Sequence, residues 1–244
     1  MLTEIKICGI TNIEDALHAA ACGADALGFI FYGGSPRCIT PEAAARIVHS
    51  LPKEVARVGV FVNEKPETIL AIRKTCSLDR IQLHGEESLE YCRRFPRSVL
   101  IKALPVLRGE SPPPLRDYPV GAFLLDTADG ERRGGTGREA DWGLAARIAE
   151  EYPLILAGGL CESNIARALA RVGPSAVDIN SGVEASPGKK DPEKVRRVID
   201  IVRRCDDGRP KTGRLSPENF SRNRLFNIPE NQRNSENCKD RRGE

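Results

Sequence analysis

Residues 1–205 predict a single-domain (β/α)8 barrel of the α/β class, and residues 206–244 a polar tail. Three observations lead there. Short apolar runs alternate with amphipathic segments eight times. The runs are rich in Val, Ile, Leu and Phe and only partly alternating, as strands covered on both faces are. Polar residues gather at one end of those runs, where such a barrel carries its chemistry.

The elements follow in order. "IKICGI" is strand one, and "TNIEDALHAAACG" a helix with a capping box of Thr11 and Glu14 that closes on Gly23. "ALGFIF" is strand two. "TPEAAARIVHSL" is a helix capped by Thr40 with Pro41 at its first position. "RVGVFV" and "RIQLHG" are strands three and four, followed by helical "KPETILAIRKTC" and "EESLEYCRRF". After strand five, "VLIKAL", three consecutive prolines, Pro112 to Pro114, leave room for a short helix at most. "AFLLDT" is strand six, and "DWGLAARIAEEY" its helix. "LILAGG" precedes a helix from Ser163 to Gly173. "AVDINSG" precedes a helix that starts at Asp191 with Pro192 behind it.

Parallel strands joined by right-handed crossovers follow from this order. Eight units in roughly 200 residues sit near the short end of the barrel's size range. A doubly wound open sheet is the alternative. It usually has fewer strands and a glycine-rich phosphate loop after the first, where this chain offers only "CGIT". From about Asp206 the chain is polar, mixed in charge and without apolar period, which reads as disorder. A short docked segment around Phe220 to Ile228 is the competing expectation for part of it.

The 244 residues are 40% hydrophobic and 29% charged, with 37 Lys and Arg against 34 Asp and Glu. A formal net charge of +3 gives no reason to expect nucleic acid or an anionic membrane as partner. The N-terminus has no basic leader with an apolar core, and no apolar run reaches the roughly 18 residues of a spanning helix. A cytoplasmic protein is expected. The eight Cys are irregularly spaced and lack a CxxC pair, so free thiols are expected.

The strand ends supply the candidate site. Cys8 ends strand one, and the helix behind it would lower its pKa if the sulfur faces the helix N-terminus. A buried free cysteine is otherwise an inert small hydrophobe. Arg37 follows strand two in a Gly-Ser-Pro loop, either solvated or clamping a carboxylate. His84 ends strand four. Asp126 ends strand six, as a turn acid or as a general acid whose pKa the site must raise. The turns after strands seven and eight, with Gly158, Gly159, Ser181 and Gly182, read as a phosphate grip. Asp178 lies just before the second turn. His18 and His49 fall in helices, so no two-histidine metal site can form at the mouth, and none is expected.

Taken together, "KICGIT", "DALHAAACGADALGFIF", "SPRCIT", "VGVFVN", "IQLHGEE", "LLDT", "GGTG" before "DW", "AGGL" and "DINSGVEASPGKKD" resemble the phosphoribosylanthranilate isomerase family of tryptophan biosynthesis, in the right order from residue 4 to about 204. The resemblance implies a barrel without metal or organic cofactor. It implies an Amadori rearrangement of N-(5-phosphoribosyl)anthranilate to 1-(2-carboxyphenylamino)-1-deoxyribulose 5-phosphate. It also implies Cys8 as general base, Asp126 as general acid, and Arg37 on the anthranilate carboxylate. Gly158, Gly159, Ser181 and Gly182 would hold the phosphate, and His84 and Asp178 would line the pocket. The implied partner is a small phosphorylated substrate, and the chain would be a monomer or homodimer. Two rivals remain: a related isomerase of an imidazole-carboxamide intermediate, which would want paired aspartates near strands one and five, and a non-catalytic phosphate sensor, which would need neither Cys8 nor Asp126.

Overall fold

A computed structural model describes residues 2–105, 114–126, 142–208 and 225–226. The eight expected strands are β1 (Glu4–Ile7), β2 (Ala26–Ile30), β3 (Ala56–Phe61), β4 (Arg80–Leu83), β5 (Leu100–Pro105), β6 (Ala122–Asp126), β7 (Leu154–Ala157) and β8 (Ala176–Ile179). They form one closed barrel in sequence order, each parallel to the next, with β8 returning to β1 in the register Lys6 opposite Asp178. The (β/α)8 expectation is borne out, and the open doubly wound sheet is excluded by the β1–β8 pairing.

Outside the strands lie α1 (Ile13–Ala21), α2 (Pro41–His49), α3 (Pro66–Thr75), the single turn α4 (Leu89–Cys92), α5 (Trp142–Glu151), α6 (Ile165–Val172) and α7 (Pro192–Asp207). Most punctuation matches expectation. Thr40 caps α2 with Pro41 behind it, Asp191 caps α7 through two backbone amides, and Gly173 ends α6 in the left-handed conformation. Besides the shortening of the expected "EESLEYCRRF" helix to one turn, two boundaries differ. Asn12, not Thr11, caps α1, its side chain accepting from the amide of Asp15 at 2.8 Å. The Thr11 hydroxyl is taken instead by the carbonyl of Gly188. The helix expected from Ser163 begins at Ile165, because the Asn164 side chain ties the preceding turn to Cys161 and Gly159. Past β5 the described residues hold only a single 3-10 turn, Leu115–Asp117. Pro112 and Pro113, Asp141 and the "GGTG" motif (residues 134–137) lie outside the described residues.

Alternation sorts the side chains. Ile5 and Ile7 of β1 enter the layer beneath the helices, as do Leu27 and Phe29 of β2. Lys6 points the other way and reaches Gln82 and Asp178 across the barrel interior. Strands apolar on their outer face and partly polar inside follow directly from this two-residue period.

At the N-terminal mouth four strands open on alanine: Ala26, Ala56, Ala122 and Ala176. Such small side chains leave a hollow, and Phe226, only 1% exposed, packs in that same cluster. Arg80 donates to the Leu225 carbonyl at 2.9 Å, and the Phe226 amide lies 3.5 Å from the Glu4 carboxylate. Among the described residues, no helix is long and apolar enough to cross a membrane.

Candidate active site

The opposite mouth gathers the expected residues. Cys8 is the first residue past β1, its amide bonded to the Ile179 carbonyl at 2.9 Å. Its side chain is buried beside Ile30 and Val60. Gly28 makes the sulfur's place: a Cβ there would fall 2.6 Å from Cys8 Sγ and 3.0 Å from Lys6 Cε. Only a glycine on β2 lets thiol and ammonium share that wall.

Lys6 is fully buried and donates to Asp178 Oδ2 at 2.8 Å and to Gln82 Oε1 at 3.0 Å. Burial works to lower its pKa, but the Asp178 carboxylate and Cys8 outweigh burial and hold the ammonium above its ordinary value. The Cys8 thiol is pushed up, first by burial and then by Asp178, against the pull of Lys6 and Lys190. The net direction is thus upward, opposite to the lowering a helix N-terminus would give. Among the described residues, Asp178 Oδ1 is buried without a hydrogen-bond partner.

Arg37 is not a solvated loop arginine. Its Nε and Nη2 grip the Glu184 carboxylate at 2.8 and 2.6 Å, and that hydrogen bonding raises its pKa. Glu184 opens β9 (Glu184–Ser186), which pairs with β10 (Lys189–Lys190) in a small hairpin after β8. The same carboxylate takes the ammonium of Lys190 at 3.0 Å and the amide of Gly188. Burial would raise the Glu184 pKa, but the hydrogen bond from Arg37 and the charge of Lys190 bring it below its usual range. One edge of the guanidinium is thus committed inside the protein. Among the described residues nothing takes Nη1 or the second Nη2 hydrogen, an edge whose geometry suits a carboxylate.

His84 follows β4. Its Nδ1 lies 2.9 Å from Gln82 Nε2, and its Nε2 faces Asp126 Oδ2 at 3.6 Å. Asp126 ends β6, half-exposed at the mouth. Around the closed barrel β6 and β1 are three strands apart through β7 and β8, so Asp126 and Cys8 stand on facing walls.

Adjacent β7 and β8 supply the two glycine turns. Gly158 and Gly159 both adopt positive φ, +87° and +63°. Ser181–Val183 form a single 3-10 turn. A Cβ on Gly182 would collide with the Leu160 carbonyl, so the two turns touch backbone to backbone. Exposed main-chain amides in such turns suit an oxyanion.

Together, Lys6, Arg37 and Lys190 set three cations against the carboxylates of Asp178 and Glu184. The excess positive charge suits an anionic ligand, and a Cys8 thiolate would neutralise it. Sequence reasoning missed Lys6, Gln82, Glu184 and Lys190. Glu184 and Lys190 stand inside "GVEASPGKKD"; the available signal was an acid and a lysine so close behind a glycine turn.

A family model described as N-(5'phosphoribosyl)anthranilate (PRA) isomerase matches residues 5–201. An N-(5'-phosphoribosyl)anthranilate isomerase of Syntrophus aciditrophicus is 52% identical over 220 residues, 90% of this chain and 96% of that protein. The crystal structure of phosphoribosyl anthranilate isomerase from Thermotoga maritima superposes with a TM-score of 0.75 at 43% identity, covering 83% of this chain and 99% of that one. A second crystal structure, of a phosphoribosyl anthranilate isomerase in complex with reduced 1-(o-carboxyphenylamino)-1-deoxyribulose 5-phosphate, gives 0.71 at 42% identity with the same coverage.

Proposed function

The chain belongs to the N-(5'-phosphoribosyl)anthranilate isomerase family, and from that premise we propose how its own residues carry the reaction. The activity is the aldose–ketose isomerisation of N-(5-phosphoribosyl)anthranilate to 1-(2-carboxyphenylamino)-1-deoxyribulose 5-phosphate. One acid and one base suffice. Asp126 gives its proton to the furanose ring oxygen as the bond from that oxygen to the anomeric carbon breaks, and the nitrogen lone pair closes an iminium. The adjacent C–H becomes acidic, since its electrons flow into the iminium. The Cys8 thiolate takes that proton, leaving an enolamine that tautomerises to the ketone. Return of a proton to Asp126 and loss of one from Cys8 complete the cycle.

The observation that carries this reading is the placement of a buried thiol and a carboxyl on facing walls of one mouth. The free edge of Arg37 binds the anthranilate carboxylate, and the turns at Gly158, Gly159, Ser181 and Gly182 bind the phosphate. Fixing both ends holds the sugar between acid and base. Asp178 Oδ1, buried and without a partner, takes a sugar hydroxyl, and His84 lines the acid's side. The burial-raised Cys8 thiol fits a base that is weakly populated but strong when formed, with Lys6 and Lys190 stabilising the thiolate. A paired-aspartate mechanism is disfavoured, since Cys8 and Lys102 stand where it needs acids. Residues 1–205 hold all of these groups, so the reaction needs nothing from residues 206–244, and the enzyme works in the cytoplasm.

The test follows loss of phosphoribosylanthranilate fluorescence for wild type, Cys8→Ser and Asp126→Asn. Each substitution should lower kcat by roughly 10²–10⁴-fold. Normal turnover by either variant refutes that residue's role. A wild type that binds the substrate without isomerising it supports a sensor instead.

A further inference from the structure

We propose that Gln82, held by Lys6, is a positioning residue for the general acid: it keeps His84 neutral with its single proton on Nε2, aimed at Asp126. The chain of contacts is continuous. Lys6 Nζ meets Gln82 Oε1 at 3.0 Å, Gln82 Nε2 meets His84 Nδ1 at 2.9 Å, and His84 Nε2 faces Asp126 Oδ2 at 3.6 Å.

Chemistry fixes every direction in that chain. An ammonium has donors and no acceptor, so Lys6 requires the amide oxygen of Gln82 on its side. Gln82 cannot turn over without setting its NH2 against that ammonium. Lys6 is itself pinned by Asp178 at 2.8 Å across the seam where β8 closes on β1. The Gln82 NH2 group therefore points at His84 and donates. His84 Nδ1 must accept, which leaves the ring's proton on Nε2. A second proton on Nδ1 would place donor against donor.

The consequence lies at Asp126. An imidazolium at that distance would hold the carboxylate ionised and deprive the reaction of its acid. A neutral imidazole carries no such charge. It can still donate to the carboxylate formed once Asp126 has given up its proton. Other charges near His84 leave this intact: Glu87 and Lys102, beneath the following turn, satisfy each other at 2.9 Å.

This inference rests on Asp126 as general acid, but its first readout does not. Imidazole nitrogen shifts of the full chain at pH 7, with His18 and His49 assigned by substitution, should show His84 neutral and protonated on Nε2. An Nδ1–H tautomer or an imidazolium there overturns the proposal. In Gln82→Glu the new carboxylate accepts from Nδ1–H, so His84 should carry a proton on Nδ1, as the Nδ1–H tautomer or as imidazolium. Its kcat should then fall at least about tenfold, with KM changed far less. A proton on Nδ1 with unchanged kcat, or a His84 that keeps its proton on Nε2 alone, refutes it. Should Gln82→Glu fail to fold, Gln82→Leu serves: the Nδ1–H tautomer should appear in the nitrogen shifts, and unchanged shifts count against the lock. If Asp126→Asn keeps full activity, the acid assignment falls while the tautomer result stands.

Discussion

The two mouths of this barrel are built from the same strands and solved in opposite ways. At the N-terminal mouth, β2, β3, β6 and β8 begin on alanine and the hollow is filled by Phe226. At the C-terminal mouth the strands end on or lead into Cys8, His84, Asp126 and the glycine turns, and charge fills the space. One end holds shape by burying carbon. The other spends stability on a buried thiol, a buried ammonium and an orphan carboxylate oxygen. The difference teaches that the interior is layered by task, and that Lys6 is where the layers meet.

Breaking that middle layer should have the largest effect. Lys6→Met removes the ammonium that binds both Asp178 Oδ2 and Gln82 Oε1, and leaves Gln82 free to turn. Truncating one partner of a buried ion pair costs about 3–5 kcal/mol. Thermal unfolding should register that loss, and kcat should fall by about two orders or more as the thiolate loses its nearest cation. A stable, active Lys6→Met would mean that the two mouths are independent.

A smaller effect is expected at Glu184, which touches only the polar mouth. Glu184→Gln keeps the shape but weakens the hold on Arg37, so KM should rise by about tenfold with kcat changed less. A kcat effect without a KM effect would move Arg37 from binding to chemistry. The carboxylate also carries a pH signature. Its pKa is lowered in the fold, so the unfolded chain takes up its proton first as pH falls. Stability from Glu184 is complete above the ordinary carboxylate range and is lost as pH drops through the folded value. Acid unfolding of Glu184→Gln should lack that contribution.

The pH dependence of kcat/KM sharpens the account of Cys8. The reactive form needs Cys8 deprotonated and Asp126 protonated. With the carboxyl's pKa below the thiol's, that form is a constant fraction between the two values. It falls off below the carboxyl's and above the thiol's. Because burial raises the thiol, the alkaline limb should begin above the ordinary thiol range. Lys190→Met should move it higher still. An alkaline limb near neutrality would show a pre-formed thiolate and contradict the burial argument.

Much of this was legible in the sequence. All eight strands, and the residues at their ends, follow from apolar runs punctuated by caps and glycines. Thr11 misled because its hydroxyl is spent on Gly188, a contact 177 residues away. Lys6, Gln82 and Asp178 read as ordinary polar positions in strands; only closure of β8 on β1 makes them partners. Glu184 stands inside a motif with no signal of its role, because that role depends on where the loop bearing Arg37 lands. Phe226 lies within the segment Phe220 to Ile228 for which docking is the competing expectation, but its few apolar residues carry no period that would fix where.

That aromatic supplies the mildest and most selective test of the two-mouth contrast. Phe226 is 1% exposed among alanines that cannot close the hollow themselves. Removing a fully buried Phe side chain costs about 3–5 kcal/mol in a core. Here the loss is offset in part, because a freed segment regains roughly 1–2 kcal/mol of backbone entropy per residue. Phe226→Ala should therefore cost about 1–3 kcal/mol, read as a lower midpoint in urea. Its kcat and KM should match the wild type, since every proposed catalytic group lies at the other mouth. Ending the chain at Gly208 should reproduce the loss. If Phe226→Ala instead lowers kcat with stability unchanged, the plug acts on the chemistry through the Lys6 layer. If neither changes, Glu4 and Arg80 close that mouth unaided, and the hollow beneath the alanines costs less than its apolar lining implies.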